Sequence, residues 1–128
     1  MDIDFLSLED LLEIAQGVLP AVEVRDVGLL ESASARPRAS VLGEWAYPSF
    51  EEQAGALMHS LARNHPLVDG NKRLAWAATR TFFLLNGRDL TYDVDEAEEF
   101  VLAVARGELE VPSIADWLRA HSSAGTGQ

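Results

Sequence analysis

The chain contains no cysteine, which excludes a disulfide framework and a thiolate metal site and leaves the fold to rest on packing alone. It also lacks any uncharged apolar run approaching the length of a bilayer span, so nothing in it targets a membrane. Basic residues are scarce: 10 Lys and Arg stand against 21 Asp and Glu, for a formal net charge of -11 at pH 7. Such a field repels phosphate backbones and argues against a broad nucleic-acid surface. The opening MDIDF carries acid where a secretion signal would carry base. With the missing cysteines, this predicts a cytoplasmic protein. No repeat or linker divides the chain. Its 128 residues, 48% of them hydrophobic, suit one domain that buries about two-thirds of its unfolded surface.

What is present is helical patterning. Ser7 and Asp10 form a capping-box pair, and Leu8, Leu11, Leu12, Ala15, Val18 and Leu19 recur at helical spacing, so a first helix is expected up to about Pro20. Gly28, Leu29 and Leu30 read as a short helical turn. The stretch from Ser34 to Pro48, with Pro37, Gly43 and Pro48, reads as a long loop and a candidate lid or docking segment. Ser49 and Glu52 open another helix with Phe50, Ala54, Leu57, Met58 and Leu61 on one face, ending near Asn64 before Pro66. Residues 71–86 are apolar nearly all round and belong in the middle of a bundle. Further helices are expected from Asp95 to about Gly107 and from about Ser113, with a short extended piece at Leu90 to Tyr92. The fold class expected is thus all-α, a single helical bundle over residues 1–121 with a central buried helix. Residues 122–128, SSAGTGQ, carry no large apolar anchor and are expected to be a disordered tail.

Chemistry concentrates in one place, the run HPLVDGNKR from His65 to Arg73 at the start of that buried helix. Lys72 and Arg73 lie in its first turn, where the dipole already presents positive charge, so each cation is unfavourable by about 0.3 to 1 kcal/mol. An anion reverses that penalty. Free backbone N–H groups, a permissive Gly70, the Asn71 amide and two cations are what a helix N-terminus needs to hold nucleotide phosphates. Asp69 has two readings, a hard oxygen ligand for magnesium or a helix N-cap. His65, an imidazole on the loop rather than in a helix interior, suits proton removal from an incoming hydroxyl. Arg63 could reach the same anion or complement the end of its own helix. Leu67 and Val68 read as buried loop anchors, and Trp45, Tyr47, Trp76 and Trp117 as core or rim aromatics. His59 and His121 have no ligand partners at metal spacing.

HPLVDGNKR resembles the motif of the Fic/Doc superfamily, H-x-F-x-D/N-A/G-N-K/G-R, and GLLESASARP, YPSFEEQAGALMHSLARNHP and the closing IADWL resemble Doc-type toxins, so that residues 3 to 121 are covered. Fic-type members carry G-N-G-R followed by a second arginine and transfer AMP. Lys72 here occupies the glycine position and Trp76 the second-arginine position, as in Doc-type kinases. The resemblance implies ATP and Mg2+ as cofactors and transfer of the γ-phosphate to a protein hydroxyl, with nucleotide lying in the reverse sense. The acceptor it implies is a threonine of elongation factor Tu, and the consequence is translation arrest.

Position by position, it implies His65 as general base, Asp69 as magnesium ligand, Gly70 and Asn71 as anion cradle, and Lys72 and Arg73 as phosphate-binding cations. Arg63 matches an arginine found just before the motif. Leu67 stands where the pattern has Phe, which makes the loop anchor smaller. The self-inhibitory motif S/T-x-x-x-E-G/N has no full match, since Ser40 and Glu44 are followed by Trp45. Control by a separate small antitoxin, with a disordered segment that folds as a helix in a groove, is therefore implied. Two alternatives stay open: an AMP transferase, and a catalytically weak module that binds nucleotide or antitoxin.

Overall fold

The computed structural model describes residues 2–124. Six helices form the body: α1 (Leu8–Val18), α2 (Val27–Ala35), α3 (Phe50–Asn64), α4 (Asn71–Leu85), α5 (Val94–Ala105) and α6 (Val111–His121). Two small antiparallel pairs accompany them, β1 (Ser40–Val41) with β2 (Glu44–Trp45), and β3 (Arg88–Leu90) with β4 (Ser122–Ala124). The all-α architecture expected from the patterning is the one observed. Both capping boxes form, Ser7 with Asp10 on α1 and Ser49 with Glu52 on α3, each contributing about 1 kcal/mol.

Helices α3 and α4 pack side by side at the centre, with α1, α5 and α6 around them. Leu57, Met58, Leu61, Leu74, Phe82 and Phe83 are all at most 2% exposed. Phe50 stacks on Phe82 at 4.7 Å and meets Phe83 edge-on at 4.9 Å. Burial is more complete on α3 than on α4, whose last turn presents Leu84 and Leu85 to solvent.

Three local expectations change. The segment expected to loop from Ser34 to Pro48 is largely ordered: α2 runs on to Ala35, a single 3-10 turn at Arg36–Arg38 includes Pro37, and a hairpin follows. The hairpin turns through Leu42 (φ 53°) and Gly43 (φ 83°), the two positive φ values that a two-residue type I′ connection requires. The extended piece near Leu90 falls at Arg88–Leu90. It pairs with Ser122–Ala124, which were expected to belong to a disordered tail. Main-chain pairing holds β4, helped by Thr91 N–H donating to the His121 carbonyl at 2.8 Å and by Ser123 Oγ donating to the Asp89 carbonyl at 3.4 Å, so no apolar anchor is needed. The rest of that tail lies outside the described residues. Among the described residues, no helix is long and apolar enough to cross a membrane.

Candidate active site

The loop between α3 and α4 is built by backbone pairing. Asn64 closes α3, and His65 caps it in the left-handed region (φ 52°, ψ 61°), a conformation that costs a non-glycine residue about 1–2 kcal/mol. That cost is borne because the loop is tied on both sides. Arg25 donates from Nε to the His65 carbonyl at 2.7 Å and from Nη2 to the Asn64 carbonyl at 2.8 Å. The Pro66 carbonyl accepts from the backbone of Arg25 (2.8 Å) and Asp26 (3.0 Å), Val68 N–H donates to the Glu23 carbonyl (2.9 Å), and Leu67 bridges Val24. Residues 23–26 thus lie along residues 65–68 like a short strand.

Leu67 is the anchor, 1% exposed within the main core. Although shorter than Phe, it is fully covered, and its main chain is held on both sides by one side chain. Asn71 Oδ1 accepts from Leu67 N–H and Asn71 Nδ2 donates to the Leu67 carbonyl, each at 2.9 Å and buried. The Asn71 amide expected to cradle an anion is therefore engaged in closing the loop, because a buried backbone pair has no other partner there. Val68, expected to be buried, is 56% exposed. It lines the cavity instead, since the alternation that turns Leu67 inward turns its neighbour outward.

Asp69 is not the N-cap of α4. Gly70 is, in a left-handed conformation (φ 86°), and that end has no side-chain cap, so its first N–H groups remain available. One Asp69 oxygen accepts from Gly70 N–H at 2.9 Å. A side chain at residue 70 would meet the methyl groups of Leu19 at 2.6 and 2.7 Å, which explains glycine there on two counts. Lys72 and Arg73 are exposed in the first turn, and among the described residues neither has a carboxylate at salt-bridge distance. Arg73 makes one long contact, 3.4 Å, to the Val18 carbonyl at the end of α1.

His65, Asp69, Gly70, Asn71, Lys72 and Arg73 all line one open cavity of about 650 Å³, whose opposite wall is the segment after α1, including Leu19 and Glu23. The geometry suits an anion laid across the uncapped helix end with a base and a carboxylate beside it. Magnesium fits this donor set. Among the described residues no group of three or more His, Asp or Glu could enclose a metal, but Mg2+ binds through one or two carboxylates with phosphate and water completing its shell, and Asp69 supplies one.

Arg63 is the residue the cavity does not include. Among the described residues its guanidinium neither lines that cavity nor bonds the end of its own helix. Its Nη1 donates to the Ala105 carbonyl at 3.0 Å, closing α5, and its guanidinium lies against Gly107. Leu19, read in the sequence as part of the first helix's apolar face, is instead a wall of the cavity, and the end of α3 is served by Arg25, a residue sequence reasoning passed over, as it did Glu23. No local pattern marks them, because their role exists only once two distant segments pair.

The other histidines are structural. His59 Nδ1 sits 2.9 Å from Arg36 Nη1, which also reaches Ser60 at 3.1 Å. Burial first, and then the Arg36 charge, holds its pKa below the ordinary histidine value. His121 stacks on Trp117 at 3.7 Å.

Comparison with known proteins agrees with this geometry. Over 126 residues the chain is 48% identical to "Toxin Doc" of Mycolicibacterium smegmatis (strain ATCC 700084 / mc(2)155), covering 94% of this chain and 95% of that protein. It is 33% identical over 116 residues to "Protein kinase doc" of Escherichia phage P1, covering 91% and 89%. Residues 5–83, from before α1 to the end of the aromatic run in α4, match the model of the Fic/DOC family. With the motif loop closed by Asn71 and opening onto an uncapped helix end, the chain belongs to the Fic/DOC family.

Proposed function

We propose that this protein is a Doc-type toxin that transfers the γ-phosphate of ATP to a protein hydroxyl, a threonine of elongation factor Tu, and so arrests translation in the cytoplasm. The observation that carries the reading is the single cavity in which His65, held in a left-handed turn, faces the uncapped start of α4 with Asp69, Lys72 and Arg73. Relatives named as a toxin and as a protein kinase support it.

In this reading the first N–H groups of α4 and the two cations take the phosphate charge, which offsets the unfavourable placement of Lys72 and Arg73 against the dipole. Asp69 would hold Mg2+, whose bound chemistry is to neutralise charge on the phosphate oxygens. The His65 imidazole takes the proton of the acceptor hydroxyl as its oxygen bonds to the γ-phosphorus. The bond from that phosphorus to the β,γ-bridging oxygen breaks, and ADP leaves with the electron pair. Asn71 acts by holding Leu67, and with it the loop that positions His65.

A separate small antitoxin restrains the enzyme, through a segment that folds as a helix in an apolar groove. Ser40 and Glu44, which alone have the spacing of an internal inhibitory motif, fall on the two strands of the β1–β2 hairpin rather than on an inhibitory helix. Purified protein with Mg-ATP and elongation factor Tu, followed by mass spectrometry of the factor, tests the reading. A phosphate on threonine that disappears with His65→Ala is expected. An AMP adduct, or no adduct, refutes it.

A further inference from the structure

The segment after α1 faces the start of α4 across the cavity, and the charged residue it contributes to the lining is Glu23. Val68 N–H donates to the Glu23 carbonyl at 2.9 Å, and Leu67 bridges Val24. Alternation along these paired segments sends Leu67 into the core and leaves Glu23 and Val68 as neighbours on the cavity side, both exposed. The Glu23 carboxylate is thus delivered to the cavity by a main chain tied in place. Among the described residues, no cation lies at salt-bridge distance from it. Arg25, the nearest basic residue along the segment, is committed to the carbonyls of Asn64 and His65, and Lys72 and Arg73 stand on the opposite wall.

We infer that Glu23 determines acceptor specificity, by pairing with a lysine or arginine close to the hydroxyl that receives the phosphate. The inference rests on the reading of this cavity as the phosphotransfer site. Over most of the surface of a chain with a net charge of -11, a carboxylate serves only to keep the protein soluble. Inside a cavity that takes phosphates it opposes binding by charge repulsion. Glu23 and the two cations share the cavity without meeting, so it is polarised: positive at the start of α4, negative on the facing wall. The α4 wall takes the phosphates. The facing wall favours a cation, and a cation carried by the acceptor segment cancels the repulsion only when acceptor and nucleotide are bound together. A cavity of about 650 Å³ is on the order of 10 Å across, which an extended chain crosses in about three residues. The residue that pairs with Glu23 therefore lies within about three positions of the acceptor.

Mass spectrometry of the protein that the wild-type chain labels in a bacterial lysate with γ-labelled ATP maps the acceptor hydroxyl, and steady-state kinetics on that purified protein then compare Glu23 variants. Lys or Arg is expected within about three residues of the mapped hydroxyl. Glu23→Gln should lower kcat/KM for the acceptor by about 5- to 30-fold, between the effects of losing an exposed ion pair and a charge-assisted hydrogen bond. Calorimetry should show Glu23→Gln binding Mg-ATP at least as tightly as wild type, because the main-chain bond to Val68 survives and a repelling charge is gone. Replacing the acceptor's basic residue by Glu should impair wild type and be recovered with Glu23→Arg, a reversal that a merely structural role does not produce. If Glu23→Gln matches wild type in kcat/KM, if no basic residue flanks the mapped hydroxyl, or if the variant instead needs more Mg2+ with its acceptor KM unaltered, Glu23 does not read the acceptor and the phosphotransfer reading stands. A wild-type chain that labels nothing from the γ position overturns both.

Discussion

Asn71→Ala distinguishes a loop clasp from a phosphate ligand. Asn71 is 9% exposed and exchanges two hydrogen bonds of 2.9 Å with the main chain of Leu67, itself 1% exposed. Truncation removes both bonds and strands a buried N–H and a buried C=O. A net hydrogen bond contributes about 1 kcal/mol, and an orphaned buried group costs about 1–3 kcal/mol. Partial relaxation and water entry bring the expected loss to about 2–4 kcal/mol, a fall in Tm on the order of 10 °C for a domain of this size. Asn71→Asp should be no better, because a carboxylate restores the acceptor for Leu67 N–H but faces the Leu67 carbonyl with a second acceptor. Thermal and urea unfolding measure the loss, and calorimetry with Mg-ATP at a temperature where the variant remains folded measures binding. The clasp predicts a large stability loss with nucleotide affinity falling much less. A variant as stable as wild type that no longer binds nucleotide would refute the reasoning and return the amide to the phosphates.

Arg25→Ala should free the carbonyls of Asn64 and His65 and cost about 1 kcal/mol or less, since both bonds are exposed. Its larger effect is on kcat, with KM for ATP little changed, as steady-state kinetics would show. Gly70→Ala should lose about 1–2 kcal/mol from its positive φ and also displace Leu19; adding Leu19→Ala should relieve only the steric part, read from the Tm values of the single and double variants. For pH, His59 has a folded pKa held below its ordinary 6.5 by burial and by Arg36, so the unfolded chain binds the proton first. The stability it contributes is present above about pH 6.5 and is lost as the pH falls through the folded value. Urea midpoints between pH 7.5 and 5 should therefore fall more for wild type than for His59→Asn.

The helical class and most helix positions are legible in the sequence because capping boxes and apolar spacing are local signals, as Ser7 with Asp10 and Ser49 with Glu52 illustrate. The hairpin at Ser40–Trp45 and the β3–β4 pair are not, since two- and three-residue strands have too little pattern to stand out from a loop. In the site, His65, Val68 and residues 69–73 line one cavity, but two residues read from the sequence as anion contacts are engaged elsewhere. Asn71 turns inward to Leu67, and Arg63 turns away to Ala105. Those assignments depend on which backbone groups lack partners after folding, information held in contacts between α3, α5 and residues 23–26 rather than in any one segment.

Phosphoryl transfer at His65 is tested most directly by giving the purified protein a bacterial lysate in two parallel reactions, with ATP labelled at the γ-phosphate in one and at the α-phosphate in the other, alongside His65→Ala. The account predicts one dominant protein band labelled from the γ position only, absent with His65→Ala. Label entering from the α position, or γ-label that persists without His65, would contradict it.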